Sequence, residues 1–298
     1  MTAQEIAQLR DALSQGGVDF TAPPTIERVN FDGLLGSFPQ DDSLQTTPRT
    51  INGVPGLWSD GPGKNVLLYL HGGGYTLGSA AGYRQLAASI AAQAGVALFS
   101  ADYRLAPEHP FPAALDDAVA AYRGLLEEGF SADQIVVGGD SAGGGLTVAT
   151  LTRLRDEGTD LPAGAFLISP WTDLTLSGAT VQSKADDDPS LNVEGLSAAA
   201  AHYLAGVDPS VPGASPVFAD LTGLPPLSIH HGESEILLSD SLRLTARAAE
   251  AAVDVRLRVW PGMVHDWPLF AFMLSEGREA IAEVVSFTQA RLGVEVAA

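Results

Sequence analysis

The chain of 298 residues contains no cysteine. Disulfides, thiolate metal sites and cysteine nucleophiles are thereby excluded, and a reducing, cytoplasmic setting is expected. Basic residues are scarce: 16 Lys and Arg stand against 36 Asp and Glu, a formal charge of −20 at pH 7. Such a surface repels nucleic acid and anionic membranes, so neither is expected as a partner. Long apolar runs are also missing. No stretch reaches the ~18 consecutive apolar residues of a membrane span, and the longest, around Ala87 to Phe99, is broken by Gln93 and Gly95. Met1 to Phe20 places Glu5, Arg10 and Asp11 among spaced apolar residues, which predicts an amphipathic helix and no signal peptide. Repeats and low-complexity tracts are absent too. What remains is a chain with 46% hydrophobic residues, enough to bury the core of one large α/β domain spanning 1–298. The oligomeric state, a homo-oligomer included, is left open.

The most informative stretch is Gly139-Asp140-Ser141-Ala142-Gly143, which follows the apolar run Ile135-Val136-Val137 and precedes the helix-like Leu146 to Leu151. A serine between two glycines, where a strand stops and a helix starts, has the pattern of a nucleophile elbow. So sharp a turn brings backbone close to backbone, and glycine on both sides removes the side chains that would collide. The amides of Ala142 and Gly143 then fall at a helix N-terminus, where unpaired N–H groups favour nearby negative charge.

Upstream, Thr21 to Thr47 is punctuated by Pro and Gly and predicts an irregular segment lying over the main domain. Two short strands about Asn52-Gly53 follow, and then the apolar strand Asn65 to Leu70, which runs into His71-Gly72-Gly73-Gly74-Tyr75. Bare glycine amides after a buried strand can approach an oxyanion closely. The amides of Gly73 and Gly74, with that of Ala142, are the candidate oxyanion donors; Gly72 is assigned to the turn and His71 to holding the loop. A helix from about Ala80 to Ala94, the strand Val96 to Ser100, Tyr103-Arg104-Leu105-Ala106-Pro107-Glu108 and a helix from about Ala113 to Glu128 come next. Arg104 and Glu108 are read as a structural charged pair. Strand and helix alternating at this pitch predict a mainly parallel, doubly wound sheet. The alternation lapses from about Ser177 to Pro225, where one helix, Val193 to Leu204, carries an apolar face; this excursion and residues 1–47 are expected to form a cap over the elbow. The strands at Pro226 to His231 and Val255 to Trp260, and a helix from Glu276 to Leu292, complete the sheet layer.

His71-Gly72-Gly73-Gly74-Tyr75, Tyr103-Arg104-Leu105-Ala106-Pro107-Glu108 with Pro112-Ala113-Ala114, and Gly139-Asp140-Ser141-Ala142-Gly143-Gly144 together resemble the hormone-sensitive-lipase-like family of α/β-hydrolases. The resemblance runs from about Gly56 to Phe270. It implies the α/β-hydrolase fold with a helical cap and a carboxylester hydrolase of short- to medium-chain esters. No metal and no cofactor are implied, and a small-molecule ester is the implied partner. A lactone hydrolase is the nearest variant, and a non-catalytic small-molecule receptor on the same fold is the alternative from another class. In this fold the triad runs in the order Ser, acid, His. His265, in the loop after the last strand, matches the family's base; His202 falls in the cap helix, and of His230 and His231, at a strand end, alternation buries one. The acid is expected shortly after Gly232. Glu235, thirty residues before His265, is assigned there although Asp is the commoner residue, with Asp240 the rival and Glu233 third.

Overall fold

Residues 3–294 are described by a computed structural model of the chain. Eight strands form one sheet: β1 Thr47–Ile51, β2 Val54–Ser59, β3 Val66–Leu70, β4 Ala97–Ala101, β5 Ile135–Asp140, β6 Gly164–Ile168, β7 Leu227–Gly232 and β8 Val255–Trp260. Their spatial order is β1-β2-β4-β3-β5-β6-β7-β8. β2 is antiparallel to both β1 and β4, and every other pairing is parallel. The first hairpin turns on Asn52 and Gly53, whose φ angles of 45° and 82° are the two positive values that such a two-residue turn requires.

The helices are α1 Ala3–Gly16, α2 Pro24–Ser37, α3 Arg84–Ala94, α4 Ala113–Glu127, α5 Ser141–Asp156, α6 Ala179–Ser183, α7 Val193–Leu204, α8 Leu238–Glu250 and α9 Ser275–Leu292. Alternation along the central strands sends side chains to both faces, and both faces are covered. Leu67, Tyr69, Leu98 and Val136 pack with α3 and α9. Val66, Leu68, Phe99 and Val137 pack with α4 and α5 on the other side. Farther along, Leu167 and Ile229 meet Val148 of α5 and Leu244 of α8. The sheet therefore brings the C-terminal ends of β3, β5, β7 and β8 to one edge, with β6 between β5 and β7, and the loops that leave those four ends carry the site.

Between Thr21 and Thr47 the structure corrects the sequence reading, because α2 is a full helix and not an irregular segment. Pro24 starts it from the first-turn position where its missing N–H costs nothing. Glu27, Phe31 and Leu35, spaced by one turn, form its buried stripe. The pattern is obscured by Gly33 and Gly36 and by Ile26 and Val29, which are 57% and 72% exposed on the outer face. The helix expected from Ala80 begins at Arg84, after a turn. Of the amphipathic helix expected at the N-terminus, Met1 and Thr2 lie outside the described residues. α1 packs through Leu9 onto Trp260, Met263 and Trp267. No helix among the described residues is long and apolar enough to cross a membrane.

Candidate active site

Ser141 stands at the junction of β5 and α5 with φ of 50°, a left-handed conformation uncommon for a residue with a side chain. The neighbouring backbone explains why glycine flanks it. A Cβ on Gly143 would lie 1.9 Å from the Leu70 carbonyl oxygen, and one on Gly139 would lie 2.5 Å from the same atom. The end of β3 is pressed against the turn, so the elbow closes only with hydrogen at both positions.

From the tip of that turn a continuous hydrogen-bonded line runs through three side chains. Ser141 Oγ lies 2.9 Å from His265 Nε2, and His265 Nδ1 lies 2.7 Å from Glu235 Oε2. Glu235 can only accept at that bond when ionised, which fixes Nδ1 as the protonated nitrogen and leaves Nε2 to accept from the serine hydroxyl. Glu235 is fully buried, in the turn between β7 and α8. Its other oxygen, Oε1, accepts from the Gly232 amide at 2.6 Å and from Ser169 Oγ at 2.7 Å. Burial alone would raise its pKa; the neighbouring His231, the bonds to His265 and Ser169, and the His265 charge reverse this, and the net shift is downward. An anion is thereby kept behind the imidazole. Asp240, the rival acid, points elsewhere: its Oδ2 accepts the Thr172 and Asp173 amides at 2.7 and 2.8 Å. Glu233 accepts the Gly262 amide at 3.0 Å.

The loop after β3 faces the same point. Gly73 adopts φ of 107° and lines the cavity that contains Ser141 and His265. A Cβ there would sit 2.4 Å from the Leu77 carbonyl oxygen. Among the described residues neither the Gly73 nor the Gly74 amide donates a hydrogen bond. Ala142 is the second residue of α5, and its amide has no acceptor within the helix. Gly74 lies under Phe20 and Ala199, where a Cβ would be 2.7 and 3.3 Å from them. Gly72 serves the turn as expected, its amide donating to Asp140 Oδ1 at 3.1 Å. His71 holds the loop: Nδ1 donates to the Gly72 carbonyl at 2.7 Å and the ring stacks on Tyr103 at 4.3 Å. Burial lowers its pKa, which suits a neutral structural imidazole.

Above these groups lies a cavity of about 70 Å³ whose wall is mainly apolar, with Phe20, Phe31 and Leu35 from the N-terminal segment and Leu191 from the excursion after β6. A larger hollow of about 360 Å³ sits on β7, β8 and α9 and contains neither Ser141 nor His265. Chemistry, not size, picks out the smaller one. The cover is tied down by Arg28 of α2. Its guanidinium donates to the carbonyls of Thr76 and Ala106, both at 2.7 Å, and to Glu108 at 2.6 and 2.9 Å. Arg104 and Glu108 consequently do not pair as expected: Arg104 is held by Asp117 at 2.8 Å and Glu108 by Arg28. The excursion after β6 is anchored by Asp188, which accepts the Ser190, Leu191 and Ile236 amides.

Both His230 and His231 are buried, not one, because both faces of β7 are covered; each pKa falls to about 4, mainly through burial. His202 stands in α7, as expected. Sequence reasoning missed Ser169, Asp266, Asp188 and Arg28. Ser169 and Asp266 have φ of 45° and 51°, a backbone feature invisible in sequence. Arg28 sits in the helix that was not recognised. Asp188 was visible only as one of three consecutive aspartates.

Comparison with known proteins agrees with this architecture. A family model described as the alpha/beta hydrolase fold matches residues 67–269. An acetyl-hydrolase of Streptomyces hygroscopicus is 47% identical over 271 residues, covering 89% of this chain and 90% of that one. An esterase of Acinetobacter venetianus is 34% identical, covering 89% and 88%. Among solved structures, an esterase from the bacterial hormone-sensitive lipase family superposes with a TM-score of 0.93 at 43% identity, covering 98% of this chain and all of that one. The chain belongs to the α/β-hydrolase fold family and, within it, to the hormone-sensitive-lipase-like esterases.

Proposed function

We propose that this protein hydrolyses small, uncharged carboxylic esters through an acyl-Ser141 intermediate. The observation that carries the reading is the line from Ser141 Oγ through His265 to Glu235, with contacts of 2.9 and 2.7 Å, opening onto an apolar cavity. In this account His265 Nε2 takes the Ser141 hydroxyl proton as Oγ attacks the ester carbonyl carbon. The resulting oxyanion is received by the amides of Gly73, Gly74 and Ala142. The imidazolium then gives its proton to the departing alkoxide, the alcohol leaves, and water repeats the sequence on the acyl-enzyme. Glu235 orients the ring and stabilises its charged form. Residues 1–47 and 177–225 act as the cap of one domain, 1–298, and limit the acyl chain. The names of the relatives, acetyl-hydrolase and esterase, point to the same chemistry. Absence of cysteine fits a reducing compartment, and a cytoplasmic location belongs to this reading.

The test is turnover of p-nitrophenyl acetate by the protein and by Ser141→Ala. Activity confined to the protein with serine supports the reading; equal rates remove Ser141 from it. A protein that binds esters without turning them over would instead be a receptor. Lactones, as internal esters, belong in the same panel and separate the two substrate classes.

A further inference from the structure

Two buried carboxyl groups beside the line of contacts have no place in the mechanism above. Asp140, the second residue of the elbow motif, is fully buried; its Oδ1 accepts from Tyr69 Oη at 2.6 Å and from the Gly72 amide at 3.1 Å. Asp266 follows His265 and is 5% exposed, and its Oδ2 lies 3.2 Å from His265 Nε2, the nitrogen that also faces Ser141. Each acid keeps one buried oxygen without a donor, Oδ2 of Asp140 and Oδ1 of Asp266. The two side chains interact, and with both orphan oxygens buried the pair is satisfied only if one carboxyl carries a proton. A single proton between the orphan oxygens would satisfy both.

We propose that Asp266 is held protonated by donating to Asp140, so that no carboxylate charge faces Nε2 of His265. The proton belongs on Asp266 because Asp140 already accepts two hydrogen bonds at Oδ1, which favour its anion. The consequence falls on the base. Burial disfavours the imidazolium, but a charged Asp266, with Glu235 and Asp188, would lift the His265 pKa to about 10. A base so protonated could not take a proton from Ser141 near neutrality. Asp266 cannot be both that anion and a group whose own carboxyl is held protonated well above the usual range, chiefly by burial and with Asp140 beside it. The neutral form removes the conflict. The titratable groups around the pair are His71, Tyr69, Tyr83 and Tyr103 on the oxyanion-loop side, and His265, Glu235, His231 and Asp188 on the other. Asp266 is thus a positioning residue that sets the protonation of its neighbour.

The inference rests on the assignment of His265 as base, yet its test does not need turnover. The His265 titration is followed by NMR, alongside the acid limb of kcat/KM, in the protein, Asp266→Asn and Asp140→Asn. In Asp266→Asn an amide donates to Asp140 with no charge at stake, so the acid limb should stay where it is. In Asp140→Asn the amide oxygen keeps the Tyr69 and Gly72 donors, and the amide nitrogen stabilises ionised Asp266. The His265 pKa and the acid limb should then rise by about 1–3 pH units, the usual effect of a carboxylate at this distance. A folded Asp140→Asn with an unmoved His265 titration overturns the proposal. So does a fall of about 1–3 units in Asp266→Asn, which would mean that the charge was there all along. Should Asp140→Asn fail to fold, the Asp266→Asn titration decides alone. Failure of the esterase reading would show separately, as turnover indifferent to Ser141→Ala.

Discussion

From Ile135 to Thr152, through β5, the elbow and most of α5, every residue is buried. In α1 the only residue buried among those described is Leu9, and in α2 only Glu27, Phe31 and Leu35 are. The first region is crossed by the main chain of β3, so even a methyl group at Gly143 has no room. The second touches the rest of the molecule through a few apolar contacts and the polar ties of Arg10, Arg28 and Asp32. Reacting groups held in the first keep their geometry because the surrounding packing leaves them no alternative. Walls supplied by the second are free to differ in shape without disturbing the sheet. On the proposed reading, chemistry and selectivity fall to different parts of the chain, and substitutions in the two should fail differently.

A substitution at the rigid side of that comparison should cost turnover. Gly73→Ala cannot keep φ of 107° comfortably and meets the Leu77 carbonyl, so the loop must shift and carry its amide away. A loss of about 10²- to 10³-fold in kcat with KM little changed is expected, the size of one lost oxyanion donor. Steady-state kinetics on p-nitrophenyl acetate measure it, and an unchanged kcat in a folded variant would remove Gly73 from the oxyanion donors.

On the cover the expected effect is smaller and of another kind. Arg28→Met releases α2 from Thr76, Ala106 and Glu108 while leaving Ser141, His265 and Glu235 in place. The loss of one partly exposed charged network, about 1.5 kcal/mol, corresponds to about a tenfold rise in KM for butyrate and longer esters. kcat for acetate should hardly move. A fall in kcat for acetate with an unchanged KM profile would blur the division between the two regions.

Smallest in activity is Asp240→Asn, whose effect should appear in stability. Burial raises the Asp240 pKa from 3.8 to about 8, and nearby Asp173 adds to this, against the Thr172 and Asp173 amides and Arg243. A raised folded-state pKa means that the folded chain binds the proton more tightly than the unfolded one. Its contribution is complete below about pH 4 and is lost as pH rises through about 8. Replacing the carboxyl by an amide should flatten the fall in Tm between those limits. Parallel Tm curves for both proteins across that range would show that Asp240 does not titrate as described.

Sequence made the rigid region legible for a physical reason. Buried parallel strands are continuous apolar runs, and an elbow pinned between glycines leaves its mark on every residue around it. Glu235, too, follows from its distance to the strand end, because the turn after β7 leaves few positions that can reach the histidine loop. The cover was legible only in part: α7 shows its apolar face, but α2 hides three buried residues among exposed Ile26, Val29 and Leu34. Asp266 and Ser169 escaped notice for another reason. Their roles depend on positive φ angles and on partners 126 and 66 residues away in the chain, Asp140 and Glu235, and no local pattern records such contacts.

The central claim is that Glu235, and no other acid, orients His265 for its exchange with Ser141. It is tested most directly by comparing kcat of Glu235→Gln and Asp240→Asn on p-nitrophenyl acetate, with folding of both checked by circular dichroism. An amide at 235 presents the wrong hydrogen-bond pattern to Nδ1, and a fall on the order of 10⁴ in kcat is expected, by analogy with the serine-protease triad. Asp240→Asn should remain within about tenfold of the parent, the effect of roughly 1.4 kcal/mol. The reverse ranking would contradict the account and make Asp240 the acid that serves His265.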